Sequence, residues 1–206
     1  MTTARRRRGT GHELREVVIG VATDLLAELG DVEALTMRAV ATAAGVTAPS
    51  VYRHFPDKQT LVREIITRQF DEFTSMLRAA AASAGERPMP RLEAMSRAYV
   101  RSGLDQPGHY RVLFSATNAG PVGLDLPANT AHPGAASYRT LIEAVAACLP
   151  ARRDAAAVPL AAELWASLHG IVDLRITKPE LPWPVPDALV DAALAPVCAA
   201  TTDPKR

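Results

Sequence analysis

Apolar positions recur along this chain at helical spacing, and no convincing alternating strand pattern interrupts them. Leu14, Val17, Val18, Val21, Leu25 and Leu29 trace one face of a first helix that Gly30 ends. A long helix over 57–83 carries Leu61, Ile65, Phe73, Met76 and Leu77 on one stripe. The stretch Gly-Glu-Arg-Pro-Met-Pro at 85–90 breaks it, and a helix over 91–104 follows with Leu92, Met95, Tyr99 and Val100. Pro107-Gly108 interrupts again before a short helix over 109–115. Residues 116–134 are rich in Gly, Pro and Asn and read as a loop, either a lid or a link. Helices near 135–149, 155–177 and 186–200 complete an all-α chain.

One segment carries more information than the rest: TMRAVATAAGVTAPSVYRHFPDKQTLVREI, residues 36–65. Thr36 suits an N-cap, and Met37, Val40 and Ala41 recur at helix spacing behind it. Gly45 sits where that helix must stop, as a residue tolerant of the left-handed conformation. Val46 plugs the space between two helices. Thr47 is placed to cap the second one, and Pro49 lies in its first turn. Val51 and Phe55 point inward. Thr47, Ala48, Ser50, Tyr52, Arg53 and His54 are left for solvent or for a groove. Asp57 caps the long helix, with Lys58 in its first turn. This is the pattern of a helix-turn-helix. A DNA major groove admits one such helix, whose N-terminal side chains reach base edges. Small residues at Thr47, Ala48 and Pro49 permit close approach. Tyr52, His54 and Lys58 suit phosphate oxygens, which fix register rather than sequence. Removing Lys58 is then expected to lower the salt slope of binding by about one unit per half-site.

The AAGV turn, the run PSVYRHFPDKQTL and the helix just upstream resemble the DNA-binding domain of the tetracycline-repressor (TetR) family. The likeness is specific over residues 12–70. It implies an all-helical homodimer: an N-terminal DNA-binding domain, a C-terminal ligand-binding domain, and repression relieved by a small molecule. It also implies that Thr47, Ala48, Pro49 and Ser50 face the groove while Tyr52, His54 and Lys58 hold the backbone; Thr36 joins this DNA-binding set. Arg53 stands where the family often has an aromatic or small residue, and either a base or a phosphate fits it. The implied organisation is a basic arm at 1–11, a DNA-binding domain at 12–60 and a ligand-binding and dimerisation domain at 61–206.

Composition adjusts this picture locally. The formal net charge of the 206 residues is only +1, which is not a nucleic-acid binder's average. Arg5, Arg6, Arg7 and Arg8, however, form a run with no acid before Glu13. Such an arm reaches phosphates or a minor groove, or serves as a solubilising tail. Cys148 and Cys198 lie in Ala-rich settings without metal-ligand spacing and read as small buried residues. The five histidines show no ligand spacing either, so neither metal nor cofactor is expected. With no G-x-S-x-G and no phosphate-binding glycine loop, catalysis is not expected. The basic start lacks the apolar run of a signal peptide, and no stretch approaches the ~20 apolar residues of a membrane span. A cytoplasmic protein is expected.

A second likeness lies further on. QPGHYRVLFSA (106–116) and LWASLHGIVDL (164–174) resemble the C-terminal domain of the TetR branch named for a Trp-His-Gly signature, here Trp165, His169 and Gly170. Trp165 and His169 share a helix face. Gly170 costs roughly 1 kcal/mol relative to Ala inside a helix, and suits close approach of another helix. This segment is apolar nearly all round. A subunit interface through Leu164, Leu168, Gly170 and Ile171 on one side, and a cavity on the other, would satisfy that. Tyr99, Tyr110, Phe114, Trp165 and His169 are candidates for lining the cavity, with Arg101, Asp105 and Asp173 as polar anchors. His169 alternatively reads as a core histidine bonded to a backbone carbonyl. The expected partners are double-stranded DNA carrying an inverted repeat, a small largely apolar effector and a second copy of the chain. The competing reading is a constitutive DNA-architectural protein without a ligand.

Overall fold

In the computed structural model, residues 11–115 and 132–201 are described, and among them every regular element is a helix. The order is α1 (Gly11–Leu29), α2 (Met37–Ala43), α3 (Ala48–Tyr52), α4 (Lys58–Ser83), α5 (Pro88–Asp105), α6 (Pro107–Ser115), α7 (Ala135–Cys148), α8 (Ala157–Thr177) and α9 (Pro186–Thr201). A 3₁₀ segment, Ala151–Ala156, runs directly into α8. The arginine run at 5–8 and most of the loop expected at 116–134 lie outside the described residues.

Two breaks are shorter than the sequence suggested. Helix α5 starts at Pro88 after an extended Arg87 (φ −68°, ψ 129°), and α6 starts at Pro107. Proline in a first turn removes an N–H that has no intrahelical partner there, so these prolines open helices instead of separating them.

The chain packs as two compact units. The first comprises the described residues up to Thr67 with the 111–115 end of α6; the second comprises Arg68–Tyr110 and the described residues from 132 onward. The division falls inside α4, not at the 60/61 boundary drawn from the sequence.

In the first unit α1 packs on α2 and α2 on α3, around Val18, Ala22, Leu26, Leu35, Val40, Val51, Phe55, Leu61 and Ile65. The buried stripe of α1 is Val18, Ile19, Ala22 and Leu26, while Val17 and Leu29 are exposed. The expected stripe through Leu14, Val17, Val18, Val21, Leu25 and Leu29 is therefore rotated. Apolar residues surround this helix, so spacing alone admits more than one face.

In the second unit α5, α7, α8 and α9 pack on one another, and α8 buries Ala157, Ala161, Leu164, Leu168 and Val172. Contrary to expectation, the helical stretch Ala151–Thr177 is long and apolar enough to cross a membrane by length and composition alone. Its buried stripe is that of a core helix. Cys148 is half-buried, and burial pushes its thiol up to about 11, whereas Cys198 is exposed rather than buried.

Candidate functional site

Helix α2 begins as its sequence dictates: Thr36 is extended (φ −125°, ψ 143°) and its hydroxyl accepts the Ala39 N–H at 3.1 Å. It ends in a Schellman turn. Gly45 (φ 66°) donates to the Thr42 carbonyl at 3.1 Å, and Val46 donates to the Ala41 carbonyl at 3.0 Å. A side chain at that φ is strained, which fixes glycine at the turn. Thr47 then occupies the N-cap position of α3, but its hydroxyl makes no cap bond. It pairs instead with the Ser50 hydroxyl at 2.9 Å, and Arg53 reaches Ser50 at 3.5 Å. The capping expected of Thr47 is thus replaced by a polar ladder Thr47–Ser50–Arg53 along the outer side of the helix.

The two sides of α3 differ sharply. Val51 is fully buried and Phe55 is 1% exposed, whereas Tyr52 is 49% exposed. Thr47, Pro49 and Arg53 are exposed, and Ala48, Ser50 and His54 half-buried. The Arg15 guanidinium lies 5.1 Å over the Phe55 ring and donates to Glu64 at 3.1 Å, tying α1 to α4 around the recognition segment. Asp57 caps α4, its Oδ1 accepting the Thr60 N–H at 2.7 Å. Hydrogen bonds from Thr60, side chain before backbone, hold this carboxyl below its ordinary range. Lys58 was expected to point at phosphates. Its Nζ instead donates within the chain, to the Val32 carbonyl at 3.2 Å and to Glu33 at 3.1 Å.

The second unit assembles four of the expected lining residues. The Tyr99 and Tyr110 hydroxyls are 3.1 Å apart, and Tyr110 lies 2.6 Å from His169 Nδ1 and stacks on that ring. The Tyr99 hydroxyl lies a longer 3.5 Å from the same Nδ1. Either hydroxyl can donate in the Tyr99–Tyr110 pair, and the 2.6 Å contact of Tyr110 joins the pair to the His169 ring. The His169 Nδ1 is thus partnered by a tyrosine hydroxyl. Phe73 stands edge-on to Tyr99 at 5.3 Å, and Tyr138 lies 5.5 Å from Trp165. The sequence offered Phe73 only as part of the core stripe of α4, and Tyr138 not at all. Burial raises the Tyr99 hydroxyl to about 12 and raises Tyr110 as well. Asp173 and Arg101 are exposed, as is Asp105, and Phe114 belongs to the first unit.

The interface residues read from α8 divide. Leu164 and Leu168, each 1% exposed, are core residues of their own chain, not an open face. Gly170 has open space where a Cβ would stand, Ile171 is half-buried, and Val158, Trp165 and Leu174 are exposed. The side of α8 that its own chain leaves more open is thus the one with Gly170 and Trp165, not the Leu164–Leu168 stripe. The missed phase follows from the composition: with apolar residues all round, periodicity does not choose a side.

Residues 19–65 match the family model described as bacterial regulatory proteins, tetR family, and residues 92–197 match the model described as tetracyclin repressor-like, C-terminal domain. The chain belongs to the TetR family. An uncharacterized HTH-type transcriptional regulator of Mycobacterium tuberculosis is 30% identical over 145 residues, covering 70% of this chain and 62% of that protein. The HTH-type transcriptional repressor KstR of Mycolicibacterium smegmatis is 39% identical over 74 residues, covering 36% of each chain. The matches thus span less than two thirds of these relatives. A solved structure of a protein with unknown function from Rhodococcus sp. RHA1 superposes with a TM-score of 0.74 at 24% identity, over 97% of this chain and 100% of that one.

In this TetR-family chain the neutral His169 has a measurable consequence. Burial lowers its pKa below the ordinary 6.5, and Asp173 opposes that only in part. A histidine depressed in the fold contributes stability that is present above its unfolded value and lost as pH falls through that value toward the folded one. The melting temperature is therefore expected to fall between about pH 7 and pH 5, and His169→Gln to flatten part of that fall. Parallel wild-type and variant curves would remove His169 as a cause.

Proposed function

We propose that this chain is a DNA-binding transcriptional regulator: a homodimeric repressor that leaves an inverted-repeat operator when a small, largely apolar molecule binds its second unit. The observation that carries the reading is the division of α3. Val51 and Phe55 lock one side into the core, while Thr47, Pro49, Tyr52 and Arg53 stay exposed on a rigid helix. A surface of small, hydroxyl and cationic groups on such a helix suits a major groove. Thr47, Ala48, Pro49 and Ser50 meet base edges in this reading. Thr36, Tyr52 and His54 meet the backbone, and Arg53, steered by Ser50, lies between the two sets. The relatives named as repressors favour repression over activation.

The effector would lie against Tyr99, Tyr110, Trp165 and His169, an aromatic wall with a few directed polar groups. It acts by preferring the dimer that does not fit DNA, since equal affinity for both states shifts nothing. Helix α4 is the natural lever. It is continuous from Lys58, just after the recognition helix, to Ser83, and it carries Phe73 beside Tyr99. The dimer would place two recognition helices about one DNA turn apart, ~34–36 Å. The protein acts by binding, in the cytoplasm where its DNA is.

The test is selection of random duplexes by the purified full chain, followed by sequencing. An inverted repeat is expected. Tyr52→Phe should weaken binding to all sequences, by roughly 1 kcal/mol for a lost hydrogen bond, whereas changes at Thr47 or Ser50 should alter the selected bases. Enrichment of a single asymmetric half-site, or none, would overturn the reading.

A further inference from the structure

The one lysine at the start of α4 is already engaged. Its side chain is only 21% exposed, while that of its partner Glu33 is 85% exposed. Two of its three ammonium donors are taken, by the Val32 carbonyl at 3.2 Å and by Glu33 at 3.1 Å. The turn that presents both acceptors is held by Asp31, whose carboxylate accepts the Glu33 N–H at 2.9 Å. An anion is thus seated on the ammonium that the helix-turn-helix would offer to DNA.

We propose that Glu33 is a built-in competitor for the phosphate that Lys58 meets on DNA, lowering affinity and reducing the share of Lys58 in the salt dependence of binding. This rests on the DNA-binding reading above. Carboxylate and phosphate are anions of similar demand, and one Nζ with a single donor left cannot serve both well. When a phosphate arrives, Glu33 either lets go or stays as a like charge at contact distance. An exposed pair of this kind shifts an equilibrium only about two- to fivefold, so DNA displaces it at modest cost. The ion count changes more. DNA releases about 0.9 cation for each phosphate neutralised. Glu33 holds the net charge at the Lys58 position near zero, so the pair displaces fewer cations than an unpaired lysine would. The bond to Val32 is independent of Glu33, so it keeps Lys58 in place when the carboxylate is neutralised. The one-unit loss of slope expected for Lys58→Ala is accordingly revised to less than about one unit while Glu33 is charged.

The experiment measures binding of the full-length protein to a fluorescent mixed-sequence DNA duplex by anisotropy, from about 50 to about 300 mM potassium chloride. Wild type, Glu33→Gln, Lys58→Ala and the double variant are compared, with melting curves as the control for folding. Glu33→Gln is expected to bind roughly two- to fivefold tighter per protomer and to steepen the salt slope, by at most about 0.9 per protomer. Both gains should vanish in the Lys58→Ala background. An unchanged or weaker Glu33→Gln overturns the proposal, as does a gain that survives without Lys58, which would be a general charge effect. If neither wild type nor Glu33→Gln binds the duplex at low salt, the DNA-binding reading itself falls, and the competition falls with it.

Discussion

Phe55→Ala is expected to destabilise the first unit by about 3–5 kcal/mol, enough to leave it unfolded or nearly so. The ring is 1% exposed, and its backbone N–H closes the turn after α3 by donating to Val51 at 3.0 Å. Its face carries the Arg15 guanidinium at 5.1 Å, which also reaches Glu64. Truncation therefore removes the buried area, opens a cavity and strips the arginine of its aromatic platform. Tyr52, three positions earlier and 49% exposed, supplies the contrast. Tyr52→Ala should stay within about 0.5 kcal/mol of wild type in stability. Chemical denaturation followed by tryptophan-independent circular dichroism separates the two. A Phe55→Ala loss below about 1 kcal/mol would mean that the recognition helix is not held by this ring, and that its two-sided character is misread.

The contrast between Phe55 and Tyr52 was legible in the sequence, because capping and turn chemistry are local. Thr36, Gly45 and Asp57 each specify one hydrogen bond or one φ within a few residues, and all three do so in the fold. The all-helical architecture follows from the same kind of signal. What was not legible is what depends on partners distant in sequence. Lys58 reads as a free cation until Val32 and Glu33, across the turn from α1, are brought to its ammonium. Thr47 reads as a cap because threonine caps helices; that Ser50 holds its hydroxyl depends on rotamers that spacing does not encode. In the second unit, Tyr99, Tyr110, Trp165 and His169 were chosen as isolated polar aromatics in apolar helices. The joining of Tyr99, Tyr110 and His169 by hydrogen bonds, with the Trp165 ring beside that of His169, arises where α5, α6 and α8 meet.

Glycine shows the same limit most sharply, and its consequence is a pair of opposite substitutions. Gly170 was the residue read as a close-approach site, yet a Cβ there meets nothing within 4 Å in its own chain. Gly103, in the last turn of α5, is the crowded one. A Cβ at that position would stand 2.5 Å from Val172 Cγ1 and 2.8 Å from Tyr110 Cδ2. Neither neighbour yields easily. Val172 is fully buried and β-branched, so its χ1 is nearly fixed in a helix. The Tyr110 ring is held by its 2.6 Å bond and its stacking on His169. Overpacking of this sort costs about 1–3 kcal/mol, while exchanging a helical glycine for alanine returns only about 0.5–1 kcal/mol. Strain wins, and Gly103→Ala is expected to destabilise the second unit and to push Tyr110 off His169. Adding Val172→Ala removes the closest atom, so the double variant should lose less than the sum of the two single changes. Gly170→Ala should do the reverse in the monomer, stabilising α8 by about 0.5–1 kcal/mol. If a second copy packs on that open side, the same methyl group weakens the dimer, and sedimentation should show the species of twice 22.0 kDa dissociating at higher concentration than wild type. Additive losses at Gly103 and Val172 would refute the crowding; a Gly170→Ala dimer as tight as wild type would place the subunit contact elsewhere.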